Sequence, residues 1–412
     1  MIFLGCDWSR TKHDVAVLDQ QGARLWRTTV AHDSESLTQL AETIAALQPD
    51  PAQVQVGVEL HDGALLAWLL EQDYVVYGVN PKSAERARDR YRPSGAKDDK
   101  SDAFILADLV RTDAGSLRPL RAQSELSREL QGWLRYRDKL TRQKTAACQQ
   151  LRALLAEWCP ALSALCDDFN RNWQRDLLQQ FPLHQDLRAA HGNRLNAFAH
   201  KHRLRAATRE RLQQAKASAP LTIPHSRTAL LRFQIRHLLD SIGELLRTLA
   251  QIEAELERLI AEHPDRQIFS SLPVRGSFTL ATLLAAFGQQ PEAAAPWREL
   301  AALWGVAPVT KQSGRSRSVK RRRACDHLIL QGLLAFAHNT AFTAGCWAAE
   351  YYQTKREHGA THYTTLRCLA QRWVKILYRM WQDRVPYREQ LHQANRRLRP
   401  AATTSPLCSA TS

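Results

Sequence analysis

The chain has 412 residues, 44% of them apolar and 24% charged, with a formal net charge of +16. No uninterrupted apolar run approaches the roughly 20 residues of a membrane span, Met1 leads into a strand-like segment rather than a signal peptide, and the eight cysteines contain no CxxC pair. A membrane protein, a secreted disulfide scaffold and a zinc module are therefore disfavoured, and a cytoplasmic protein with reduced thiols is expected.

The charge is unevenly spread. Residues 1–120 hold 13 Lys+Arg against 18 Asp+Glu, a net −5, which leaves +21 on the remainder. An acidic front suits metal chemistry, and a strongly basic remainder suits a polyanionic partner, nucleic acid above all.

In chain order, residues 2–8 read as a buried strand reaching Asp7, and residues 14–19 and 24–30 follow as strands around the turn Gln20-Gln21-Gly22. Leu37, Leu40, Ile44 and Leu47 have helical spacing and stop before Pro49. A fourth strand, 54–58, ends on Glu59; a helix spans 64–71, a fifth strand 74–79 and a helix 81–91. The segment Lys97-Asp98-Asp99-Lys100-Ser101-Asp102-Ala103 then opens an apolar helical run, Phe104 to Val110. Asp99 and Asp102, three apart, share one helix face, while Asp98 points elsewhere. Paired carboxylates on the first turn of a buried helix call for a cation, and Mg²⁺ takes such oxygen ligands. Taken singly, Asp7, Glu59 and the helical pair each have a plainer reading as a cap or turn residue; together, in this order of elements, they point to one site. Asp14, Asp19 and Asp62 read as ordinary turn and edge residues.

Arg118-Pro119 marks a boundary. Two long amphipathic helices, about 125–158 and 228–262, flank an irregular Arg- and His-rich insertion at about 160–226, and suggest an antiparallel coiled-coil arm. His184, His191, His200, His202 and His225 lack compact metal-ligand spacing and are expected mostly on a polar surface. Leu272-Pro273 to Gly276 turns into an apolar helix, and resembles half of a helix-hairpin-helix as much as a plain turn. Within Thr310 to Arg323, which has no acid, six cations fall between Arg315 and Arg323 (Arg315, Arg317, Lys320, Arg321, Arg322 and Arg323). Ser313, Ser316 and Ser318 sit in that positive field, which suits a phosphate; by itself the segment reads more simply as a basic loop. Apolar helices at 328–340 and 366–381 follow, joined by a segment with Tyr351, Tyr352 and Tyr363 that reads as core rather than as a base-stacking platform. The tail beyond 395, rich in Ala, Thr and Ser, is expected to be disordered.

The element order with an acid on the first strand, a Glu at the tip of the fourth and acids on a later helix resembles the ribonuclease H-like fold of RuvC-type nucleases. Adding Leu272-Pro273-x-x-Gly276, Gly305-Val306-Ala307-Pro308 and Gln312-Ser313-Gly314, the chain resembles the DEDD-type transposases of bacterial insertion sequences, the insertion-sequence-110 family, over roughly 1–395. That resemblance implies an α/β plus α architecture: a RuvC-like metal domain at 1–120, a helical coiled-coil arm at 121–262, and a mainly α transposase domain at 263–395 before the tail at 396–412. It implies that Asp7, Glu59, Asp99 and Asp102 hold two Mg²⁺ ions, that Ser313 is the nucleophile, and that the basic segment after it binds nucleic acid. It further implies a site-specific DNA recombinase acting on target and donor DNA. The enzyme would be guided by a structured non-coding bridge RNA, form a phosphoserine intermediate, and work as a homo-dimer or tetramer with its site composite across protomers. The sequence departs from the family pattern after Glu59 (Leu60-His61-Asp62-Gly63), at Val274-Arg275, at Cys325 and at Leu330. The alternatives are a metal-dependent RuvC-like junction nuclease in which Ser313 is incidental, and a non-catalytic nucleic-acid-binding protein.

Overall fold

The computed structural model describes residues 1–59, 63–91, 99–117, 119–120, 124–273, 276–288, 295–314 and 316–390; the side chains of residues 90, 91, 99–101, 116, 311 and 317 are outside that description. The chain forms two compact units, Met1–Gln123 and Ser124–Ser412.

The first unit is built on a six-stranded sheet: β1 (Ile2–Trp8), β2 (Lys12–Leu18), β3 (Arg24–Ala31), β4 (Val54–Val58), β5 (Val75–Gly78) and β6 (Pro119–Leu120), in the order β3-β2-β1-β4-β5-β6. β1 is central, antiparallel to β2 and parallel to β4. Parallel neighbours need a crossover, supplied by α1 (Ser34–Leu47) between β3 and β4 and α2 (Ala64–Glu71) between β4 and β5. Asp33 caps α1, its Oδ1 accepting from the Ser36 amide at 2.8 Å. This is a mixed α/β unit consistent with the ribonuclease H-like arrangement expected from the sequence.

Strand alternation divides the core in two. Leu4, Cys6, Val15, Val17, Val54, Val56 and Val58 pack with Leu37, Leu40, Ile44, Leu65 and Leu69 of α1 and α2. Phe3 and Leu18 face the other way and pack with α3 (Pro81–Tyr91) and α4 (Asp99–Asp113) through Ala84, Ala87, Ile105, Leu106, Leu109 and Val110. On that second face the strands carry Gly5 and Gly57. A Cβ added to Gly5 would lie 1.8 Å from the Ala103 carbonyl oxygen and 2.5 Å from the Ala107 nitrogen, and one on Gly57 would lie 2.6 Å from the Leu106 oxygen. The helix backbone therefore rests directly on the strands.

The second unit is mostly helical. α5 (Glu125–Trp158) and α11 (His225–Glu262) pack along each other in antiparallel sense. Leu130, Leu134 and Leu140 share one core with Leu249, Ile252, Leu256 and Leu259, and Leu151 and Leu155 share another with Leu231, Ile235 and Ile242. The basic insertion, read from the sequence as able to hold several short helices, forms α6 (Pro160–Leu165), α7 (Asn172–Gln180), α8 (His184–Ala189), α9 (Gly192–Lys201) and α10 (Ala206–Ala217), which close the second core with Phe169, Phe181, Leu187 and Phe198. Apolar residues spaced at helical intervals between Arg and His residues account for this. His191, His200 and His225 are exposed, as expected of most of these histidines, whereas His184 is buried, with Nε2 2.7 Å from the Ala215 oxygen, and His202 lies 3.1 Å from Asp176.

The first core continues into α12 (Arg266–Ser270), α13 (Ser277–Ala286), α14 (Trp297–Leu303), α15 (His327–Ala341), α16 (Trp347–Glu357) and α17 (His362–Gln382) around Phe287, Trp304, Phe336, Trp373 and Trp381. Of the three tyrosines expected in the core, Tyr352 is buried and Tyr351 packs on the core edge, but Tyr363 is 72% exposed, because it sits at the outer start of α17. The remaining strands, β7 (Val309–Ser313) and β8 (Ser316–Lys320), form an antiparallel hairpin where a loop was expected. No helix among the described residues is long and apolar enough to cross a membrane. The expected disordered tail lies outside the described residues.

Two buried histidines tie stability to pH. His13 on β2 is fully buried, with Nε2 2.8 Å from Nδ1 of His32; burial, then the neighbouring His32, hold it below its ordinary value. His263 accepts the Asp265 amide hydrogen at Nδ1, so Nε2 carries the proton and donates to Ser127 Oγ at 3.2 Å. Burial lowers its pKa, with Arg384 adding and Asp265 opposing. Both groups bind a proton more readily unfolded, so their contribution is complete above about pH 6.5 and is lost as pH falls through that value. Melting temperature should fall between pH 7.5 and 5.5 and change little between 7.5 and 8.5, and the pair H13L and H263Q should flatten that slope.

The glycine floor gives a second test. G5A should cost about 3 kcal/mol, at the upper end for overpacking, and G57A nearly as much, by urea unfolding followed by circular dichroism. G115A, whose Cβ meets nothing within 4 Å, should be close to neutral.

Candidate active site

Asp7 lies two residues beyond Gly5 on β1, and side chains two apart on a strand share a face, so it projects to the α4 side of the sheet; Glu59 follows the end of β4 and lines the same cleft as Asp7. The registered pair Cys6–Val58 is the last between these parallel strands, which places Asp7 and Glu59 side by side at the same strand ends. Neighbouring strands are about 4.8 Å apart. Asp102, in the first turn of α4, is brought over these ends by the docking of Ala103, Leu106 and Ala107 on the two glycines.

Asp7, Glu59 and Asp102 thus line one cleft of about 510 Å³, together with Trp8, Ser9, Lys12, Asp14, Pro81, Lys82, Glu85 and Arg88. The lining holds five carboxylates against three cations among the described residues. Asp14, expected to be an ordinary edge residue, is one of the five. It is the registered cross-strand partner of Asp7, is buried, and accepts a hydrogen bond from Thr29 Oγ1 at 2.6 Å. Two carboxylates directly opposite on adjacent strands repel one another, and that repulsion is part of the field in the cleft. It reaches Cys6: burial, then Asp7 and Asp14, push its thiol up to about 12, which leaves it protonated and unreactive.

Asp102 is buried against the apolar side of α4, and its counter-charge is Arg88 of α3, whose Nε donates to Oδ1 at 2.8 Å. The guanidinium is held above its ordinary value first by that bond, against burial, and then by the fields of Asp102, Glu59 and Asp7. Arg88 was invisible in the sequence reading: on a helix as charged as Lys82-Ser83-Ala84-Glu85-Arg86-Ala87-Arg88, one arginine looks like another. Among the described residues, no three His, Cys, Asp or Glu side chains converge tightly enough to hold a metal ion as they stand. The donor set is nonetheless all carboxylate oxygen with an excess of negative charge, which fits Mg²⁺. Asp99 begins α4, but its side chain, like Asp98 and Asp62 altogether, is outside the described residues.

Ser313 belongs to the second unit. It ends β7 and forms the last registered pair of the hairpin with Ser316. A two-residue turn asks for positive φ, and Gly314 supplies it at φ 54. Gln312, Ser313 and Ser316 are exposed, whereas Ser318 is half-buried. Lys320, Arg321 and Arg323 are exposed at the hairpin's base, with Arg322 half-buried; Arg315 and the side chain of Arg317 are outside the described residues. The base is braced by Arg367 of α17, which donates to the Gly305 oxygen at 3.2 Å. Burial, then Arg321, hold Arg367 below its ordinary value. Like-charged guanidiniums gathered there make an environment for an anion. The turn at Val274-Arg275, considered for a phosphate contact, lies outside the described residues.

An acidic cleft on a mixed sheet consistent with a ribonuclease H-like domain fits an enzyme that cleaves and transfers DNA strands, a transposase. The comparisons with known proteins agree. Residues 4–160 match the DEDD transposase model of the IS110 type, and residues 266–353 the model described as "Transposase IS116/IS110/IS902 family". The mini-circle putative transposase for IS117 of Streptomyces coelicolor is 30% identical over 407 residues, 94% of this chain and 96% of that protein. The IS900 uncharacterized 42 kDa protein of Mycobacterium paratuberculosis is 29% identical over 94% of this chain and 97% of its own length. The IS110 uncharacterized 43.6 kDa protein of S. coelicolor is 26% identical over 95% and 96%. The chain belongs to the IS110 family of insertion-sequence transposases.

Proposed function

We propose that this transposase is an RNA-guided, site-specific recombinase that cuts and rejoins DNA through a phosphoserine at Ser313, with Mg²⁺ held by Asp7, Glu59 and Asp102, and by Asp99 beside it. The observation that carries the reading is the convergence of Asp7, Glu59 and Asp102 on one cleft. The resemblance names the same acids.

In this reading Ser313 Oγ attacks a backbone phosphorus. An Oγ–P bond forms, one P–O bond to deoxyribose breaks, and the proton lost by the serine ends on the released sugar hydroxyl. The new ester is close in energy to the old one, so a second sugar hydroxyl can reverse the step on a different strand and regenerate the serine. When bound, Mg²⁺ supplies charge stabilisation of the attacked phosphate and helps ionise the hydroxyl. Lys320, Arg321, Arg322 and Arg323, with Arg315 and Arg317, hold phosphates along the strand next to Ser313. Ser313 stands at an exposed hairpin tip, which supports its access to DNA and a site shared between protomers of an oligomer. The two long helices, packed antiparallel, are read as a coiled-coil arm. The net +21 beyond residue 120 supports binding of a second polyanion, the bridge RNA, in addition to DNA.

S313A should abolish the covalent protein–DNA adduct on denaturing gels, and D7N and E59Q should lower adduct formation by about a hundredfold or more. Undiminished Mg²⁺-dependent cleavage by S313A would point instead to a metal-only junction nuclease. RNA recovered with the protein from cells should be dominated by one structured species, and a random RNA population would overturn the guided reading.

A further inference from the structure

Arg88 has no assigned part in the chemistry, yet it occupies the most consequential position in the cleft. Its Nε is 2.8 Å from Oδ1 of Asp102, whose side chain is 8% exposed, while the arginine's own is 19% exposed. A carboxylate so enclosed requires a cation. The same carboxylate is one of those proposed to bind Mg²⁺, and a divalent cation brought to it meets the positive charge of the guanidinium already on Oδ1. Lys12 and Lys82 also line the cleft, but the cation bonded to Asp102 is Arg88.

We propose that Arg88 is the resident counter-cation of the acidic cleft. It holds Asp102 until a divalent cation arrives, and it leaves that oxygen when the cation binds, so that metal uptake and release of Arg88 are one exchange. The released guanidinium remains on the wall of the cleft, which it shares with Glu59, Asp7 and Glu85. Arg88 is thus a positioning residue that acts on the metal through Asp102. The inference rests on the reading of Asp7, Glu59 and Asp102 as Mg²⁺ ligands.

The test is titration of the full chain with MgCl₂ by calorimetry, and with MnCl₂ by electron paramagnetic resonance, without DNA. R88Q should bind the ion about tenfold more tightly than the unaltered protein, because a charge-assisted bond no longer competes. R88K, which keeps the charge, should stay within about threefold of it, charge being what the exchange requires. R88Q should also melt lower than the unaltered protein in EDTA and regain most of the difference in saturating Mg²⁺; a purely structural role would leave the deficit the same in both. Equal or weaker binding by R88Q, with the unaltered protein binding normally, overturns the exchange while the metal reading stands. Absence of binding by every form overturns both. R88K serves as the folded reference if R88Q is not recovered.

Discussion

The arrangement of this molecule's chemistry depends on a contact without side chains. Helix α4 lies on β1 and β4 at a separation only glycine permits, with helix backbone atoms where the Cβ atoms of residues 5 and 57 would otherwise stand. Small residues on the helix, Ala103 and Ala107, complete the fit. Close approach brings the first turn of the helix down to the ends of the strands, and so brings Asp102 to Asp7 and Glu59. A helix resting on ordinary side chains would sit further out, at the roughly 10 Å usual for packed layers, and would carry its carboxylate away from the other two. Steric economy in the core thereby determines electrostatics at the edge.

The cost of that electrostatics is visible around it. Asp7 and Asp14 face each other across adjacent strands, Cys6 beneath them is kept protonated, and Asp102 is met by an arginine from another helix. Thr29 donates to Asp14. These are the compensations expected where function rather than stability has chosen the residues. The basic hairpin is the counterpart in the second unit: like charges gathered at its base, braced by Arg367, with an exposed hydroxyl at the tip.

Much of this was legible in the sequence, and what was not has identifiable physical causes. Alternating apolar residues and clear turns gave the order of strands and helices in the first unit, and the acids at strand ends followed from it. Asp14 was misread because period-two patterning locates a strand without saying which residue faces which across the register. Arg88 was missed because its partner is a residue on the following helix, and no local signal distinguishes it from the solvated charges beside it. The hairpin of β7 and β8 carries too few apolar residues for strand patterning; only Gly314, between two serines, marks its turn. In the insertion, the density of Arg and His hid a real core whose leucines and phenylalanines are spread over five short helices.

That second core has a consequence of its own. The paired helices α5 and α11 are sealed at one end by α12 to α17 and at the other by a capsule of α6 to α10, each end with a separate set of buried residues. Among the described residues, the capsule shares its buried set with the far ends of α5 and α11 and is separate from the aromatic residues of α13 to α17. Substitutions buried in this terminal module thus have their first effect on its own core, and a transposase of a mobile element can vary there with little disturbance of the aromatic core at the other end.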